Sequence, residues 1–336
     1  MKVSELGEFG LIELLANIIN NARDPKSKAW KRVLVGTGDD TAAWQDDGSV
    51  QLATTDSLVQ DTHFDLALTT WEDLGWKALA VNLSDIAAMG GIAEYALVSL
   101  TLPSELDTEC VVKLCRGMVD IAGKFDVAIV GGNIAASEKV NITVSLMGSL
   151  QGKIPLLRSA AIPGDLIAIS GYTGLSAAGL LMLKQKRKVD DESARLLTEA
   201  HLRPVPRIEQ GQRLLKLGVK AAIDISDGLI ADLEHVCKAS HAGATINKDL
   251  LPIHPALKQY FPSEYESLAM AGGEDYELLF TAPQKIMEQA KKSLECPVTV
   301  IGEINEGNEG KVTVVDSSGR IHELKKSGWE HFESMT

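Results

Sequence analysis

The chain has 336 residues, a length that suits two domains of ordinary size. Its 33 basic and 46 acidic residues give a formal net charge of −13, the wrong sign for a protein whose main partner is a nucleic acid. Apolar residues make up 45% and charged residues 24%, which excludes a disordered or collagen-like chain, and aromatic residues at 5% argue against stacking platforms for single strands.

No segment predicts a membrane span or an export signal. The N-terminus is acidic and lacks an apolar run, and the longest uncharged stretch, residues 166–183, is interrupted by Gly171, Gly174 and Gly179. The four cysteines, at positions 110, 115, 237 and 296, have neither the density of a disulfide framework nor the spacing of a CxxC pair. We therefore expect free thiols and a cytoplasmic protein.

The first half of the chain alternates helical and strand-like patterns. Apolar residues at helical spacing predict a helix over residues 8–22, which Asp24-Pro25 ends. After it the pattern predicts strands over 32–35 and 50–53, a helix over 74–89 that ends at Gly90-Gly91, a strand over 95–102, a helix over 105–125, and strands over 127–130 and 140–150.

A second α/β set follows Pro163-Gly164-Asp165. The pattern predicts strands over 166–170, 221–223, 244–247, 278–281, 298–301 and 311–315, and helices over 175–183, 207–217 and 229–240. The turn over residues 152–164 separates the two halves. We therefore predict an N-terminal domain over 1–152 and a C-terminal domain over 153–336.

Acidic residues recur next to glycines at the predicted ends of strands. They are Asp39 and Asp40 after Gly36-Thr37-Gly38, Asp56 in Thr54-Thr55-Asp56, Asp224 and Asp227 around Ile225-Ser226, and Glu274 and Asp275 after Gly272-Gly273. Acids in such positions can meet at one edge of a sheet, where α/β proteins bind ligands. The alternative is turn chemistry, because Asp and Gly both favour turns. Four such groups together favour a common site.

Asp85 lies in a predicted helix that is apolar almost all round between Leu79 and Met89. A helix of this composition is buried, and a buried carboxylate has to be paired or to bind a metal ion. Lys77 lies eight residues earlier, close to the same face. An internal ion pair with Lys77 is therefore the alternative to a metal ligand.

A group of carboxylates repels itself unless cations neutralise it. Oxygen ligands without clusters of His or Cys suit Mg²⁺ or Ca²⁺ better than zinc or iron. Mg²⁺ completes its coordination shell with water and substrate phosphates. The carboxylates therefore indicate nucleotide chemistry supported by several metal ions.

Three glycine motifs are similar to phosphate sites. The segment from Gly117 to Gly123-Lys124 has five intervening residues where a P-loop has four, and Phe125 replaces Ser or Thr. The Gly36-Thr37-Gly38 segment lacks the third glycine of a dinucleotide fingerprint, so we reject both. The third, Gly171-Tyr172-Thr173-Gly174, is either a phosphate cradle at a helix start or a plain tight turn.

Several segments together resemble the thiamine-monophosphate kinase family, which belongs to the superfamily of aminoimidazole ribonucleotide synthetase and selenophosphate synthetase. They are residues 36–42, 54–59, His63-Phe64, residues 77–90, Leu157-Arg158-Ser159, residues 224–229 and residues 272–278. The resemblance runs from Phe9 to Phe332. It implies the fold class α/β (α+β), with two α/β domains on mixed sheets, PurM-like in both the N-terminal and C-terminal halves, and a homodimer formed through the N-terminal sheets.

The resemblance also implies a reaction, the transfer of the γ-phosphate of ATP to thiamine monophosphate. The acceptor is already anionic, so no general base is needed, and Mg²⁺ ions relieve the repulsion between the two polyanions. The implied metal ligands are Asp40, Thr54, Thr55, Asp56, Asp85, Asp224 and Asp227. The implied ATP contacts are Gly131, Gly132, Arg158 and Ser226, and the implied thiamine contacts are His63, Glu274 and Trp329.

These implied roles have structural alternatives. The aromatic face of Trp329 suits a thiazolium cation, but Trp329 could instead anchor the C-terminal tail. His63 could be an ordinary surface residue in a loop, and Arg158 could be a solvated side chain.

Asn133 departs from the family pattern. The family has Gly-Gly-Asp where this chain has Gly131-Gly132-Asn133. An amide oxygen still binds Mg²⁺ but brings no charge, so Asn133 is a further implied ligand at a weaker metal site. Alternatively Asn133 shapes a turn after the two glycines, because Asn tolerates left-handed backbone.

Two other functions remain as alternatives. One is another ATP-dependent synthetase of the same superfamily. Selenophosphate synthetase is disfavoured because its chemistry uses an N-terminal Cys or selenocysteine, whereas the first cysteine here is Cys110. Aminoimidazole ribonucleotide synthetase is disfavoured by residues 273–277 and a C-terminal Trp. The other is a non-catalytic Mg²⁺- or nucleotide-binding protein, which would bind Mg-ATP without turnover.

Overall fold

The computed structural model of the chain describes residues 31–323, except 36–38, 47 and 153, together with residues 328 and 329. The helix predicted over residues 8–22 and the segment Gly36-Thr37-Gly38 lie outside the described residues.

The first half forms a six-stranded sheet with helices packed on its buried face. Its elements are β1 (Val33–Val35), β2 (Ala42–Gln45), β3 (Val50–Val59), α1 (Trp71–Ala88), β4 (Ile92–Leu102), α2 (Thr108–Lys124), β5 (Ala128–Ala136) and β6 (Asn141–Leu150). The strand order is β1-β2-β3-β6-β4-β5. Neighbouring strands are antiparallel except for the parallel pair β4–β5.

The second half forms a seven-stranded sheet. Its strands are β7 (Leu166–Ser170), β8 (Ala221–Asp224), β9 (Gly243–Asn247), β10 (Leu278–Ala282), β11 (Val298–Asn305), β12 (Val312–Val315) and β13 (Ile321–His322). Its helices are α3 (Leu175–Gln185), α4 (Asp191–Leu202), α5 (Ile208–Leu217), α6 (Leu229–Ala239), α7 (Pro255–Tyr260), α8 (Tyr265–Ala271) and α9 (Gln284–Ser293). The strand order is β13-β12-β9-β11-β7-β10-β8, antiparallel except for the pair β9–β12.

Both sheets contain parallel and antiparallel pairs, so the expected fold class of two α/β units on mixed sheets is confirmed. The first sheet takes its strands from residues 33–150 and the second from residues 166–322. The domain boundary at residue 152 stays a prediction.

Several strands are longer than predicted, and several short elements were not predicted. The strand expected over 50–53 continues to Val59, and the strand expected over 127–130 continues to Ala136. The prediction ends the two strands shortly before Asp56 and just before Gly131-Gly132-Asn133, and Asp, Gly and Asn ordinarily disfavour strands. Pairing with β6 and β4 carries the backbone through them. The unpredicted elements are short or polar: β2, β13, α4, α7, α8 and α9.

Helix α1 is the central element of the core. The hydroxyl of Thr70 caps its start by accepting the N–H of Asp73 at 3.1 Å, and Gly90 follows its end at a φ of 71°. As predicted, α1 is buried nearly all round. The hydrophobic cluster around it continues into the second half through Leu214 and Phe280. Helix α1 can therefore present side chains to a site between the two sheets.

Helices α1 and α2 cross at two glycines. A Cβ on Gly75 would lie 1.9 Å from the carbonyl oxygen of Leu114, and one on Gly117 would lie 1.8 Å from the carbonyl oxygen of Glu72. Gly117 is thus a packing residue inside a helix, which confirms the rejection of a P-loop at this position.

The four cysteines are free thiols, as predicted. Over the residues that the structure describes, no helix has both the length and the apolar composition needed to cross a bilayer.

Candidate active site

Three aspartates from distant parts of the chain meet at one place. Asp40 precedes β2, Asp85 lies near the end of α1, and Asp224 is the last residue of β8. One carboxylate oxygen of each lies within 4.8 Å of the others. The predicted convergence of acids at strand ends is confirmed for Asp40 and Asp224, and the buried Asp85 joins them; we call these three residues the carboxylate cluster.

The C-terminal part of α1 organises this cluster through polar side chains. The hydroxyl of Ser84 donates to a carboxylate oxygen of Asp224 at 2.6 Å, and the side-chain oxygen of Asn82 accepts the N–H of Asp56 at 3.1 Å. The sequence analysis missed Asn82 and Ser84. Their signal was available, because both are polar residues inside an otherwise apolar helix.

Thr54, Thr55 and Asp56 lie inside β3, so the prediction that they follow a strand is wrong. Successive side chains in a strand point to opposite faces of the sheet. Thr54 donates its hydroxyl to Asp85 at 2.5 Å, and the carboxyl group of Asp56 also hydrogen-bonds with Asp85. The Thr55 hydroxyl lies on the other face, where it donates to the carbonyl of Val144 at 3.0 Å. The structure brings Thr54 and Asp56 to the cluster, but not the hydroxyl of Thr55.

Lys77 pairs with Glu274, so the interpretation of Asp85 as its ion-pair partner is wrong. The almost fully buried ammonium of Lys77 donates to Oε2 of Glu274 at 2.8 Å, and Nδ1 of His201 lies 3.4 Å from the same oxygen. Burial alone would raise the pKa of Glu274, but the charge of Lys77 and its hydrogen bond outweigh burial and lower that pKa. Glu274 is therefore an anion held by a buried cation from α1.

Arg158 brings a positive charge to the carboxylate cluster. Its Nε and Nη2 donate to the two oxygens of Asp40 at 3.0 and 2.5 Å, and its backbone N–H donates to Asp39 at 3.2 Å. Burial on its own would lower the pKa of Arg158, but Asp40 and Asp39 outweigh it and raise that pKa above its ordinary value. The alternative of a solvated surface side chain is therefore wrong.

The site carries more negative charge than its protein partners neutralise. Burial, with the charges of neighbouring aspartates, raises the pKa of Asp85 and of Asp224 well above the ordinary range. Burial and the charge of Asp40 raise the pKa of Asp39 to about 7. Carboxylate oxygens are hard ligands, and where their negative charge is not neutralised by the protein they suit a divalent cation such as Mg²⁺. The donor set therefore fits the metal ions that the sequence implies.

The loop after β8 links this site to the expected thiamine contacts. The N–H of Glu274 donates to the carbonyl of Ser226 at 2.7 Å, and the N–H of Trp329 donates to the carbonyl of Asp227 at 3.0 Å. Trp329 is 42% exposed, so part of its indole ring is open to a ligand. These four residues therefore lie in one neighbourhood.

His63 follows β3 and is half-buried. Its Nδ1 accepts the N–H of Val59 at 3.0 Å, so the neutral ring carries its proton on Nε2. His63 lies near enough to Glu274 that its protonated form would help to lower the pKa of that carboxyl group. Two expected thiamine contacts therefore approach each other.

Gly131, Gly132 and Asn133 lie inside β5, so the interpretation of Asn133 as a turn residue is wrong. Paired residues form a row across the sheet: Asp56, Val144, Val98 and Gly132. This row places Gly132 three strand spacings from Asp56, about 14 Å. Asn133 lies on the opposite face of β5 from Gly132. Within one chain, Asn133 therefore cannot bind the same metal ion as Asp56.

A groove of about 430 Å³ lies between β5 and α2. Its lining is largely apolar: Val98, Leu100, Leu114, Cys115, Met118, Ile129, Gly131, Gly132, Asn133 and Ile134. A Cβ on Gly132 would lie 1.8 Å from the carbonyl oxygen of Val98, so strand packing requires this glycine. A Cβ on Gly131 would meet nothing closer than 3.5 Å. The groove has the size and character of a small-molecule site.

The loop between β7 and α3 does not form a phosphate cradle, so that interpretation is wrong. The N–H groups of Gly174 and Ser176 donate to the carboxylate of Asp275 at 2.6 and 3.2 Å. The N–H groups of Gly171 and Thr173 donate to backbone carbonyls. Because the chain itself uses these N–H groups, the loop is the plain turn of the alternative reading.

Comparisons with known proteins cover nearly the whole chain. The family described as AIR synthase related protein matches with its N-terminal domain over residues 38–150 and with its C-terminal domain over residues 163–315. A thiamine-monophosphate kinase of Bacillus subtilis is 36% identical over 98% of this chain and 100% of its own length. Its counterpart from Escherichia coli K12 is 38% identical over 97% of this chain and 98% of its own length. The solved structure of AaThiL complexed with AMPPCP and TMP has a TM-score of 0.84 at 35% identity, and covers 98% of this chain and 99% of that one.

Proposed function

The chain belongs to the thiamine-monophosphate kinases of the AIR synthase related family, and on this premise we propose which of its residues carry out the reaction. The enzyme transfers the γ-phosphoryl group of ATP to thiamine monophosphate and releases ADP and thiamine diphosphate. The observation that carries the assignment is the meeting of Asp40, Asp85 and Asp224 beside Arg158, in a chain whose full-length relatives are kinases of this kind.

The carboxylate cluster is the proposed site of Mg²⁺. The residues that would hold it are Asp40, Thr54, Asp56, Asp85, Asp224 and Asp227, with the backbone of Thr55 as a further candidate. When bound, Mg²⁺ neutralises charge on the reacting phosphates and supports in-line displacement. The support for it is the surplus of buried negative charge, since the raised pKa of Asp85 reflects a site that favours added positive charge.

The groove between β5 and α2 is the proposed site of the adenosine part of ATP. Asp56 hydrogen-bonds with Asp85 of the cluster, and the row of residues from Asp56 to Gly132 at the groove spans about 14 Å, a distance that an extended ribose and triphosphate can span. Arg158 and Ser226 then contact the phosphates, because a guanidinium offers paired donors to phosphate oxygens. Gly131 lets the nucleotide approach the edge strand, since no side chain stands there.

The acceptor side comprises Glu274, Trp329 and His63. Trp329 is exposed next to Asp227, where its aromatic face can cover the thiazolium cation. The carboxylate of Glu274 is charged and fixed by Lys77, so it can bind a cationic or hydrogen-bond-donating ring. No residue is needed as a general base, because the attacking oxygen belongs to a phosphate that is already ionised.

Replacing Trp329 by Ala is expected to raise the KM for thiamine monophosphate about tenfold and to leave the KM for ATP unchanged. A cation over an indole contributes about 1–2 kcal/mol, which corresponds to roughly this factor. Because Trp329 is exposed, the replacement should cost little stability. Initial-rate kinetics with each substrate varied in turn measures the effect. The Trp329→Phe variant is the matched control, which keeps an aromatic face and most of the affinity, and an equal rise of both KM values would contradict the assignment.

The function itself is tested by incubating the purified protein with Mg-ATP and a panel of phosphate acceptors. Thiamine monophosphate should give ADP and thiamine diphosphate in equal amounts. Unphosphorylated thiamine should fail, because its hydroxyl would need a base and would sit too far from the metal ions. Turnover with a different acceptor would favour another synthetase of the superfamily. Binding of Mg-ATP without turnover would favour a non-catalytic nucleotide-binding protein.

A homodimer in the cytoplasm, with domains over 1–152 and 153–336, completes the proposal. The face of the first sheet that points away from α1 exposes Tyr95 and Leu97, which are 51% and 41% accessible, and it also carries Asn133. Pairing of two chains through this face would cover the apolar side chains and would make Asn133 a candidate ligand at the interface. Light scattering of the purified protein measures the oligomeric state. The free cysteines support a reducing compartment.

A further inference from the structure

The backbone of the loop after β8 is hydrogen-bonded to a buried carboxylate that has no role in the function proposed above. Asp232 in the first turn of α6 is buried, and its Oδ2 accepts the N–H groups of three successive residues. The distances are 3.1 Å to Ser226, 3.2 Å to Asp227 and 3.1 Å to Gly228. A buried carboxylate requires such partners, and the three bonds hold the backbone of the loop in one conformation.

The same peptide groups are held at their other ends by the expected thiamine contacts. The carbonyl of Ser226 and the N–H of Asp227 form one peptide group, and this carbonyl accepts the N–H of Glu274 at 2.7 Å. The next peptide group joins the carbonyl of Asp227 to the N–H of Gly228, and its carbonyl accepts the N–H of Trp329 at 3.0 Å. A trans peptide group is planar and moves as a unit. Two consecutive rigid groups therefore connect one buried carboxylate to both thiamine contacts.

Glycines make these two contacts possible. A Cβ on Gly273 would lie 2.5 Å from the carbonyl oxygen of Ser226, and a Cβ on Gly328 would lie 2.8 Å from that of Asp227. Each glycine directly precedes the residue whose N–H reaches the loop. The chain is thus adapted to close approach at both points.

We propose that Asp232 is a positioning residue that sets the register between the ATP side of the site, at Ser226 and Asp227, and the thiamine side, at Glu274 and Trp329. The proposal rests on the proposed function. Asp232 touches neither substrate and acts through the two peptide groups. In-line transfer needs the acceptor oxygen close to the γ-phosphorus, and small displacements are costly in rate.

Loss of this register has a chemical signature. When the acceptor phosphate is displaced, a water oxygen can attack the γ-phosphorus in its place. The bond from phosphorus to the oxygen that bridges the β- and γ-phosphates breaks, and ADP and inorganic phosphate form with release of a proton. ADP is then produced in excess over thiamine diphosphate.

The test compares Asp232→Ala with the unaltered protein. We expect the rate of thiamine diphosphate formation to fall about 10- to 100-fold, and the ratio of ADP to thiamine diphosphate to rise from one to above about two. A loss of stability alone leaves this ratio at one, because unfolded protein makes neither product. If Asp232→Ala does not fold, Asp232→Ser replaces it with the same expectation. A ratio of one in folded Asp232→Ala, or in folded Asp232→Ser where it replaces the Ala variant, overturns the proposal.

Two further variants separate hydrogen bonding from charge and from general destabilisation. Asp232→Asn keeps an oxygen acceptor and removes the charge, so its ratio should stay close to one. Asp165 is a matched control, because it is also a buried carboxylate that accepts a backbone N–H, that of Ile162 at 3.4 Å, and it lies outside the site. Asp165→Ala should lose stability and keep a ratio of one. An elevated ratio in Asp165→Ala would overturn the proposal.

Amide hydrogen exchange tests the same link without any turnover. In Asp232→Ala the amides of Ser226, Asp227, Gly228, Glu274 and Trp329 should all exchange faster, and in Asp165→Ala they should not. Unchanged exchange at Glu274 and Trp329 overturns the proposal. If the unaltered protein makes no thiamine diphosphate, the proposed function fails, and the exchange experiment still decides whether Asp232 holds the two segments.

Discussion

Replacing Asp85 by Asn is expected to abolish kinase turnover and, at the same time, to make the metal-free protein more stable. Asp85 accepts a hydrogen bond from Thr54 and lies within 4.8 Å of Asp40 and Asp224. Asparagine keeps an oxygen for Thr54 but removes a negative charge that burial and its neighbours disfavour. Mutation of residues that only hydrogen-bond to a metal ligand typically lowers metal affinity or activity about 10- to 100-fold. Loss of the charge of the ligand itself should therefore lower kcat by more than about 100-fold.

Two melting curves of each protein, one without metal and one with Mg²⁺ and ATP, test this prediction. Without metal, the midpoint of Asp85→Asn should lie about 2–4 °C above that of the unaltered protein, the shift that about 1 kcal/mol produces in a domain of 150–250 residues. With saturating Mg²⁺ and ATP the order should reverse, because ligands stabilise the protein that binds them better. A variant that retains turnover within tenfold, or that unfolds without metal, would contradict the assignment of Asp85 as a metal ligand.

The sequence predicts those parts of the site that depend on local pattern. The apolar composition of α1 marks Asp85 as buried, and the repeated acids beside glycines mark Asp40 and Asp224 as members of a common site. Both inferences need only residues that are close in the chain. The same local reasoning ends β3 at Ala53, because the polar run Thr54-Thr55-Asp56 ends the apolar pattern and contains Asp, a residue depleted in strands. Their pairing with β6 is a long-range contact and overrides that preference.

Interaction partners that lie far apart in the chain cannot be identified from local sequence patterns. Lys77 and Glu274 are 197 positions apart, so the sequence offers Asp85, eight positions away, as the nearer candidate partner. The proposed role of Asp232 could not be predicted from the sequence for the same reason. Its position in the first turn of a helix predicts only a favourable interaction with the helix dipole, whereas the three N–H groups that it accepts depend on how the preceding loop folds back.

The second large effect is expected in the metal-free protein, whose stability should fall as the pH rises from about 6.5 to about 8. A carboxyl group with a higher pKa in the folded than in the unfolded chain binds more protons when folded, so stability falls as the pH passes through the raised pKa. Burial raises the pKa of Asp275 to about 8, and burial with Asp40 raises that of Asp39 to about 7. The raised pKa values of Asp85 and Asp224 act in the same direction.

Buried histidines act in the opposite direction, but at lower pH. Burial and the charge of Lys77 lower the pKa of His201 to about 3, and burial with Arg158 lowers that of His235 to about 4. Such groups raise stability only until the unfolded histidine loses its proton, near its ordinary pKa of about 6.5. Carboxyl groups with lowered pKa values complete their contribution at still lower pH. Among the described residues, the carboxyl groups with raised pKa values therefore govern the slope above pH 6.5.

Divalent cations should reduce this slope and are expected to be required for turnover. One net proton over about 1.5 pH units corresponds to about 2 kcal/mol, or a fall in the melting midpoint of about 4–8 °C. With saturating Mg²⁺ the fall should shrink, because a bound cation keeps the cluster ionised in the folded state. A residual slope should remain from Asp275, which bonds to the start of α3 and not to the cluster. The measurement is a series of melting curves from pH 6.5 to 8, with and without Mg²⁺, beside rates measured before and after chelation. A midpoint that stays level or rises without metal, or full activity after exhaustive chelation, would show that the cluster does not function as a cation site.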